Sequence, residues 1–196
     1  DDAVVEATES VALTLSGFSA RDADITLGAT VLASANITDN DSATVTIARI
    51  NDGVEAVVPT NALFRVTQTA VASVDTVVTY SVGGTATSGS DFTALSGSVT
   101  IPAGSTTADI TVTVLNENVV EPTETVSLTL TGFGGRDPDM TLGATLVSSA
   151  NITDSDTSVI TLAAVDADQN EGTGGSTTSF TFSATLSNPV QGGFTI

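Results

Sequence analysis

The sequence contains a long internal repeat, and this repeat constrains the fold more than any other feature. Residues 4–18 return as residues 119–133, 115 positions later, and residues 36–41 return as residues 151–156 at the same separation. A repeat of this length is a whole domain, because the units of solenoid proteins have only about 20–50 residues. We therefore expect a tandem array of similar domains.

The repeat divides the chain into one complete unit and two partial units. Residues 42–156 form the complete unit, residues 1–41 form the C-terminal part of a preceding unit, and residues 157–196 form the N-terminal part of the next. One inserted residue shifts the register in the third unit, so that Phe64 corresponds to Phe180. We expect the chain to be a segment of a longer array.

Short runs of alternating β-branched and polar residues, broken by Gly, Asp, Asn and Ser, predict strands throughout. In the complete unit the predicted strands are 43–50, 62–70, 75–82, 97–101, 108–115, 125–131 and 144–153. They predict an all-β fold of tandem Ig-like seven-stranded antiparallel β-sandwiches. The predicted core consists of Val45, Ile47, Leu63, Phe64, Val66, Val78, Tyr80, Val99, Ile101, Ile110, Val112, Val114, Val126, Leu128, Leu130 and Ile152.

The composition indicates a folded but strongly acidic protein. The chain has 23 acidic and 4 basic residues, a net charge of −19, and 40% hydrophobic residues, which is too apolar for a disordered acidic tail. The charge excludes nucleic acid and anionic membranes as electrostatic partners and favours cations. Without Cys and His, zinc sites built on these residues are excluded. Since no apolar run reaches about 18 residues, we expect no membrane insertion.

Carboxylates fall on the loops at one end of the predicted sandwich. Because consecutive strands alternate in direction, the loops after the first, third and fifth strands lie at the same end as the end of the last strand. We call this end the acidic pole; its residues are Glu55, Asp91, Glu117, Glu121, Asp154 and Asp156. Two such charges 4 Å apart repel by roughly 4 kcal/mol at an effective dielectric constant of about 20.

The acidic pole therefore needs a cation. The complete unit has only Arg49, Arg65 and Arg136 as basic residues. Ca²⁺ is better suited, because it accepts irregular sets of oxygen ligands from loops. Equivalent carboxylates in the partial units favour a calcium site over acidic loops that only keep the surface soluble; they are Glu6, Asp39, Asp41 and Glu171.

These motifs resemble the Calx-beta domain, and the resemblance covers essentially the whole chain. The start of the third unit, residues 171–187, is similar to that of bacterial members. The segments that carry the resemblance in the complete unit are Glu55, 84–92, 97–104, 116–124 and 152–156.

The resemblance implies that Ca²⁺ is the cofactor and that the six residues of the acidic pole are its ligands. The unit departs from the family in two places: Asn116 precedes Glu117, where calcium-saturated members often have two consecutive acids, and Ser155 separates the last two acids. We therefore expect one or two ions per site and weaker binding. The preceding unit has Asp1 and Asp2 where the complete unit has Asn116 and Glu117, so these two acids are also expected to be ligands.

The repeat and the acidic pole together predict a structural function. Calcium at the junction of successive units would stiffen the array, and a site that fills only at millimolar Ca²⁺ indicates an extracellular location. We expect a Ca²⁺-stabilised repeat segment of a large extracellular protein, such as an adhesin stalk, a matrix protein or a bacterial surface filament. The expected partners are neighbouring repeats of the same chain, with lateral self-assembly into a fibre left open.

Alternatives remain for the function of the chain and for the role of Arg136. A Ca²⁺-sensing regulatory module is the second hypothesis, which the exchanger members of the family suggest. An enzyme is not expected, because the chain lacks His, Cys and Lys; the remaining possibility is a carboxylate pair such as Glu121 and Glu124 acting on a glycoside. At the junction, Arg136 is either a clamp on Asp39 and Asp41 of the preceding unit or part of a solvated hairpin tip.

Overall fold

A computed structural model describes residues 2–175 and 177–195, and every regular element within them is a β-strand, which confirms the all-β prediction. No helix among these residues has the length and apolar character needed to cross a bilayer. The strands are β1 (Glu9–Thr14), β2 (Leu32–Ile37), β3 (Ala43–Asn51), β4 (Gly53–Val54), β5 (Ala62–Gln68), β6 (Thr76–Gly84), β7 (Ser98–Ile101), β8 (Thr107–Val112), β9 (Glu124–Gly135), β10 (Met140–Leu142), β11 (Val147–Thr153), β12 (Ile160–Ala164) and β13 (Phe182–Leu186).

The complete unit folds as a sandwich of two sheets. One sheet has the strand order β10-β3-β5-β8 and the other has the order β4-β11-β9-β6-β7. The pairings are antiparallel except those of β10 with β3 and of β4 with β11, which are parallel. The predicted Ig-like sandwich is confirmed. Seven strands are predicted and nine strand segments form, because the first and last strands are each divided between the two sheets.

A change of sheet near each end of the unit explains the two additional strands. The β3–β5 ladder shifts register between Arg49 and Asn51, and the chain then enters the second sheet as β4. At the other end, β10 pairs with β3 before β11 joins β9. Burial alternates from Ala43 to Ile47, is interrupted at the exposed Arg49 and Asn51, and resumes at Gly53 and Glu55 after the change of sheet.

The core lies between the two sheets and follows the alternation of side chains along each strand. Leu63 was wrongly placed in the core: it precedes Phe64 directly, so the two side chains point to opposite faces of β5. Phe64 is fully buried, whereas Leu63 is partly exposed. Val99 is also only partly buried, because β7 is an edge strand. The buried residues of β9 are Glu124, Val126, Leu128 and Leu130.

The two partial units reproduce ladders of the complete unit. Glu9 lies opposite Ile37 in the β1–β2 ladder, as Glu124 lies opposite Ile152 in the β9–β11 ladder. The strands β12 and β13 likewise pair in the same antiparallel way as β3 and β5.

The third unit contains a longer insertion than the sequence suggests. Ala164 lies opposite Phe182, as Arg49 lies opposite Phe64 in the complete unit. Phe182 therefore takes the position of Phe64, and the predicted correspondence with Phe180 is wrong. The two residues are hard to distinguish by sequence, because residues two positions apart share one face of a strand.

Phe64→Ala should destabilise the complete unit by about 3–5 kcal/mol, because it leaves a cavity in the core. The neighbouring Leu63→Ala is the matched control and should have a clearly smaller effect, since Leu63 is partly exposed. Urea-induced unfolding of both variants measures the difference. Equal losses would contradict the assigned orientation of β5.

Candidate metal centre

The structure gathers carboxylates of the acidic pole around one point. Glu55 directly follows β4, Asp91 lies between β6 and β7, and Glu117 and Glu121 lie between β8 and β9. Carboxylate oxygens of Asp91, Glu117 and Glu121 all lie within 4.8 Å of one another. Two oxygens bound to one Ca²⁺ lie at most about 5 Å apart, so a single cation of this size fits among the three residues.

Glu55 supports this cluster from a buried position, with 2% of its surface exposed. Its Oε1 accepts a hydrogen bond from the backbone N–H of Glu117 at 2.8 Å, which orders the loop before β9. Burial raises the pKa of Glu55; the Glu117 N–H opposes this shift, and the charges of Glu117, Asp154 and Asp91 add to it. Glu55 thus lies close to three other acidic side chains.

Asp154 organises the loops of the cluster through backbone hydrogen bonds. Its Oδ2 accepts the N–H of Glu121 at 2.8 Å, and its Oδ1 accepts the N–H of Asp156 at 2.6 Å. Both oxygens are therefore used to position the two neighbouring acidic residues. This arrangement links the end of β11 to the loop that precedes β9.

Asp91 is held in place by a closed turn and has 3% of its surface exposed. The N–H of Thr87 donates to Asp91 Oδ2, and the N–H of Asp91 donates to the Thr87 carbonyl at 3.0 Å. The turn begins at Gly84, where φ is +115°, and a Cβ there would lie 2.0 Å from the Thr125 carbonyl oxygen. Only glycine fits this approach between the Asp91 loop and β9.

Glu124 belongs to the cluster, although the sequence analysis did not identify it as a ligand. It has 9% of its surface exposed, and its Oε2 has no hydrogen-bond partner among the described residues. Burial raises the pKa of Glu124, and the neighbouring Asp91 carboxylate raises it further. The alternation of β9 could have identified it, because Glu124 shares the inward face with Val126, and Glu9 is its counterpart in the first unit.

The electrostatics of the cluster favour uptake of positive charge. Burial raises the pKa of Glu121 to about 7, and the charges of its neighbours contribute, that of Asp91 first. Among the described residues, Glu124 Oε2 and Asp156 Oδ2 are buried without a hydrogen-bond partner. Carboxylates that carry raised proton affinity and free lone pairs suit a hard divalent cation bound by oxygen.

The preceding unit carries a second acidic cluster. Asp39 repeats the contacts of Asp154, since its oxygens accept the N–H groups of Glu6 at 2.8 Å and Asp41 at 3.0 Å. These hydrogen bonds lower the pKa of Asp39, whereas burial and then the charge of Asp2 raise the pKa of Glu6. The acidic residues that line this cavity of about 260 Å³ are Asp2, Glu6, Glu9, Asp39 and Asp41.

Two residues predicted as ligands are not placed in either cluster. Asp1 lies outside the residues that the structure describes. Glu171 lines a separate cavity with Gln169, Asn170 and Thr178, and no other carboxylate of the described chain lines it.

Main-chain hydrogen bonds join the preceding unit to the complete unit beside the first cluster. The N–H of Val5 donates to the Val71 carbonyl at 2.9 Å, and the N–H of Ser73 donates to the Val5 carbonyl at 3.0 Å. Val5 is fully buried and forms a parallel bridge with Ala72. Since Glu6 follows directly, the junction and the cluster share one loop.

The same junction is found between the complete unit and the third unit. The N–H of Val120 donates to the Pro189 carbonyl at 2.9 Å, and the N–H of Gln191 donates to the Val120 carbonyl at 3.0 Å. Here a side chain also crosses the junction: Gln191 Nε2 lies 3.0 Å from Glu121 Oε1 and 3.5 Å from Glu124 Oε1. No pattern in the sequence indicated this contact.

Arg136 does not act as a clamp on Asp39 or Asp41, and that hypothesis is wrong. Its Nη1 donates to two carbonyl oxygens of its own loop at 2.8 and 2.9 Å, and its guanidinium lies 4.8 Å from the centre of the Phe133 ring. Arg21 makes equivalent contacts in the first unit. Both arginines close their own hairpin tips.

Asp137, on the same hairpin, is a buried acid that the sequence analysis missed. It has 2% of its surface exposed, and its Oδ2 has no hydrogen-bond partner among the described residues. Its charge is one of those that raise the pKa of Glu6, after burial and the acids of the preceding unit. The hairpin of the complete unit therefore approaches the first cluster.

Comparisons with known proteins agree with the resemblance seen in the sequence. Residues 54–156 match the Calx-beta domain, which confirms the predicted family. A comparison with curated proteins finds no match.

Several solved structures are similar to the chain. CBD12 from CALX1.2 is 20% identical with a TM-score of 0.47, and the match covers 57% of this chain and 46% of that one. The apo-form Calx CBD1 domain is 21% identical with a TM-score of 0.47, and the match covers 58% of this chain and 99% of that domain. A two-domain protein from Bacteroides fragilis NCTC 9343 is 12% identical with a TM-score of 0.40, and the match covers 63% of this chain and 55% of that protein. The chain thus spans less than half the length of the CBD12 structure.

The metal-free chain should become more stable as the pH falls from about 7 to 4.5. Glu55, Glu121 and Glu124 have raised pKa values, so the folded protein binds more protons than the unfolded chain in this window. The stability gained by protonating these groups is fully present below their pKa in the unfolded chain. It is lost as the pH rises through their higher pKa values in the folded protein. The lowered pKa values of Asp39 and Asp109 affect the stability of the folded protein only below about pH 4.

Thermal unfolding in EDTA across this pH range measures the effect. Glu121→Gln should flatten the profile, because it removes the group with the pKa of about 7. Stability that stays constant or rises with pH between these limits would contradict the proposed electrostatics of the cluster.

Gly84→Ala should displace the Asp91 loop, because its Cβ would overlap the Thr125 carbonyl oxygen. We expect a loss of about 1–3 kcal/mol from the backbone conformation alone, with the steric overlap adding to it. Gly89→Ala is the matched control: Gly89 has φ +96° in the same loop, but nothing lies within 4 Å of its Cβ position. Chemical denaturation of both variants measures the difference, and equal effects would show that the close approach is unimportant.

Proposed function

Because the chain belongs to the Calx-beta domain family, we propose that it is a Ca²⁺-binding segment of a large extracellular repeat protein, in which the cation stabilises the junctions between consecutive sandwiches. The observation that carries this proposal is the position of the acidic pole. Its loop is shared with the junction, since Val120 bonds to the third unit and Glu121 belongs to the cluster.

The chemistry of the residues favours Ca²⁺. The cluster offers only carboxylate oxygens from side chains, and Asp91, Glu117 and Glu121 lie close enough to share one ion. Glu124 and Asp156 add buried oxygens that lack other partners among the described residues. Mg²⁺ needs near-ideal octahedral geometry and retains water, whereas Ca²⁺ accepts six to eight oxygens from irregular loops.

Recurrence of the arrangement supports a structural role. The first cluster has the same backbone contacts, made by Asp39 instead of Asp154, and the same main-chain junction, made by Val5 instead of Val120. A cation at each junction would neutralise charges that otherwise weaken contact between units. Such a segment suits an adhesin stalk, a matrix protein or a bacterial surface filament, where millimolar Ca²⁺ keeps low-affinity sites filled.

We do not propose an enzymatic function. Glu121 and Glu124, the pair considered for glycoside hydrolysis, both belong to the cluster and both contact Gln191. Neighbouring repeats of the same chain are the proposed partners, with neither nucleic acid nor a membrane among them.

Millimolar Ca²⁺ should raise the unfolding temperature relative to EDTA. A ligand at 100 times its Kd stabilises by about 2.7 kcal/mol, which corresponds to a shift on the order of 10 °C for a unit of this size. Glu121→Gln should weaken the response to Ca²⁺ and yet stabilise the metal-free protein, because it removes a charge that burial disfavours. Asp24→Asn is the matched control, since Asp24 is exposed and belongs to neither cluster.

Thermal unfolding and calorimetric titration distinguish the outcomes. Unfolding temperatures that coincide in Ca²⁺ and EDTA would refute the calcium site. A Kd below about one micromolar would instead favour a Ca²⁺ sensor, because such a site would be occupied at intracellular Ca²⁺ levels.

A further inference from the structure

We propose that Gln191 supplies a metal ligand across the junction, so that the acidic pole of one unit is completed by the next unit. This inference rests on the proposed function, because it assumes that the acidic pole binds Ca²⁺. It adds that the site belongs to two consecutive units together.

The main chain fixes Gln191 at the edge of the acidic pole. Its N–H donates to the Val120 carbonyl, and the Val120 N–H donates to the carbonyl of Pro189, at 3.0 and 2.9 Å. This pair of bonds holds Val120 in a parallel bridge with Val190. Because Glu121 follows Val120 directly, the position of the Gln191 backbone relative to the cluster is set by the junction itself.

The Gln191 side chain reaches the carboxylates of the site. Its amide group lies 3.0 Å from Glu121 Oε1 and 3.5 Å from Glu124 Oε1. Glu121 is one of the three residues whose oxygens lie within 4.8 Å of one another, and Glu124 holds an unpartnered buried oxygen within the described chain. The amide is therefore in direct contact with two proposed ligands.

The chemistry of the amide permits two roles at this position. In the metal-free protein, Nε2 donates hydrogen bonds to the carboxylates and compensates part of their charge. Rotation of the amide by about 180° exchanges nitrogen and oxygen at nearly the same positions. The carbonyl Oε1 is then a neutral oxygen ligand of the type that Ca²⁺ accepts from Asn and Gln.

The other junction provides an internal comparison. There Ser73 occupies the position of Gln191, with its N–H bonded to the Val5 carbonyl at 3.0 Å. The serine side chain has three fewer heavy atoms than that of glutamine, and its oxygen lies two bonds closer to the backbone. The first cluster therefore lacks the amide ligand proposed at Gln191. Because residues 1–41 also contain no counterpart of Glu55 or Asp91, the comparison that isolates the amide is Ser73→Gln within the first cluster.

Shared ligation makes calcium binding and unit docking interdependent. If the third unit contributes a ligand, its docking raises the affinity of the acidic pole, and Ca²⁺ strengthens the docking by the same factor. The cation would then act as a cross-link between units in addition to neutralising charge within one unit.

Calcium titration of the whole 196-residue chain by calorimetry tests the proposal with Gln191→Met and Gln191→Ala. Gln191→Met keeps the side-chain length and leaves the backbone N–H in place. Both variants should weaken one class of sites about tenfold, as expected for loss of a contact that supports the metal. The other class, formed by the first cluster, should be unchanged. Ser73→Gln should conversely strengthen that first class.

The possible results separate this inference from the proposed function. Wild-type protein that binds no Ca²⁺ would refute both. If the wild type binds Ca²⁺ and the Gln191 variants bind it equally well, only the shared ligand is refuted. Tighter binding by the variants would also refute it, because the amide would then compete with the cation. In the wild type, NMR signals of the Gln191 side-chain NH₂ should shift on addition of Ca²⁺; unchanged signals would contradict the rotation of the amide.

Discussion

Repulsion among partly buried carboxylates is the constraint on which the organisation of this protein depends. Glu55 and Asp91 are almost fully buried at the acidic pole, where each adds to the negative potential around Glu121. The four arginines are used elsewhere: two form exposed ion pairs with Asp52 and Asp109, and two close hairpin tips. Backbone N–H groups compensate only part of the charge, so the fold keeps a strong affinity for a proton or a cation at this end.

The same constraint links the metal centre to the junction between units. The loop before β9 carries Val120, which bonds to the third unit, and Glu121, which lies in the cluster. Charge at the cluster therefore acts directly on the segment that holds the units together. The same backbone contacts recur at Val5 and Glu6, where a junction and an acidic cluster again share one loop.

Much of the architecture could be predicted because it depends on local periodicity. Alternation along strands correctly placed residues such as Val126 and Leu128 in the core. Glu124 shares their inward face, although its charge is typical of a surface residue. Leu63 is partly exposed because it alternates with the buried Phe64, whereas Val99 is partly exposed because β7 lies at the edge of its sheet, a position that the sequence does not encode.

The sequence by itself determined the all-β class, the repeat of 115 residues and the set of acids at one end, because alternation and spacing are local properties of the chain. Only the tertiary structure decided how these acids are held: Asp154 accepts the N–H of Glu121 in the loop before β9, and Gly84 allows the approach of Asp91. It also decided that Gln191 of the following unit contacts the cluster. These contacts join residues far apart in the chain, and their geometry depends on how sheets, loops and units pack together.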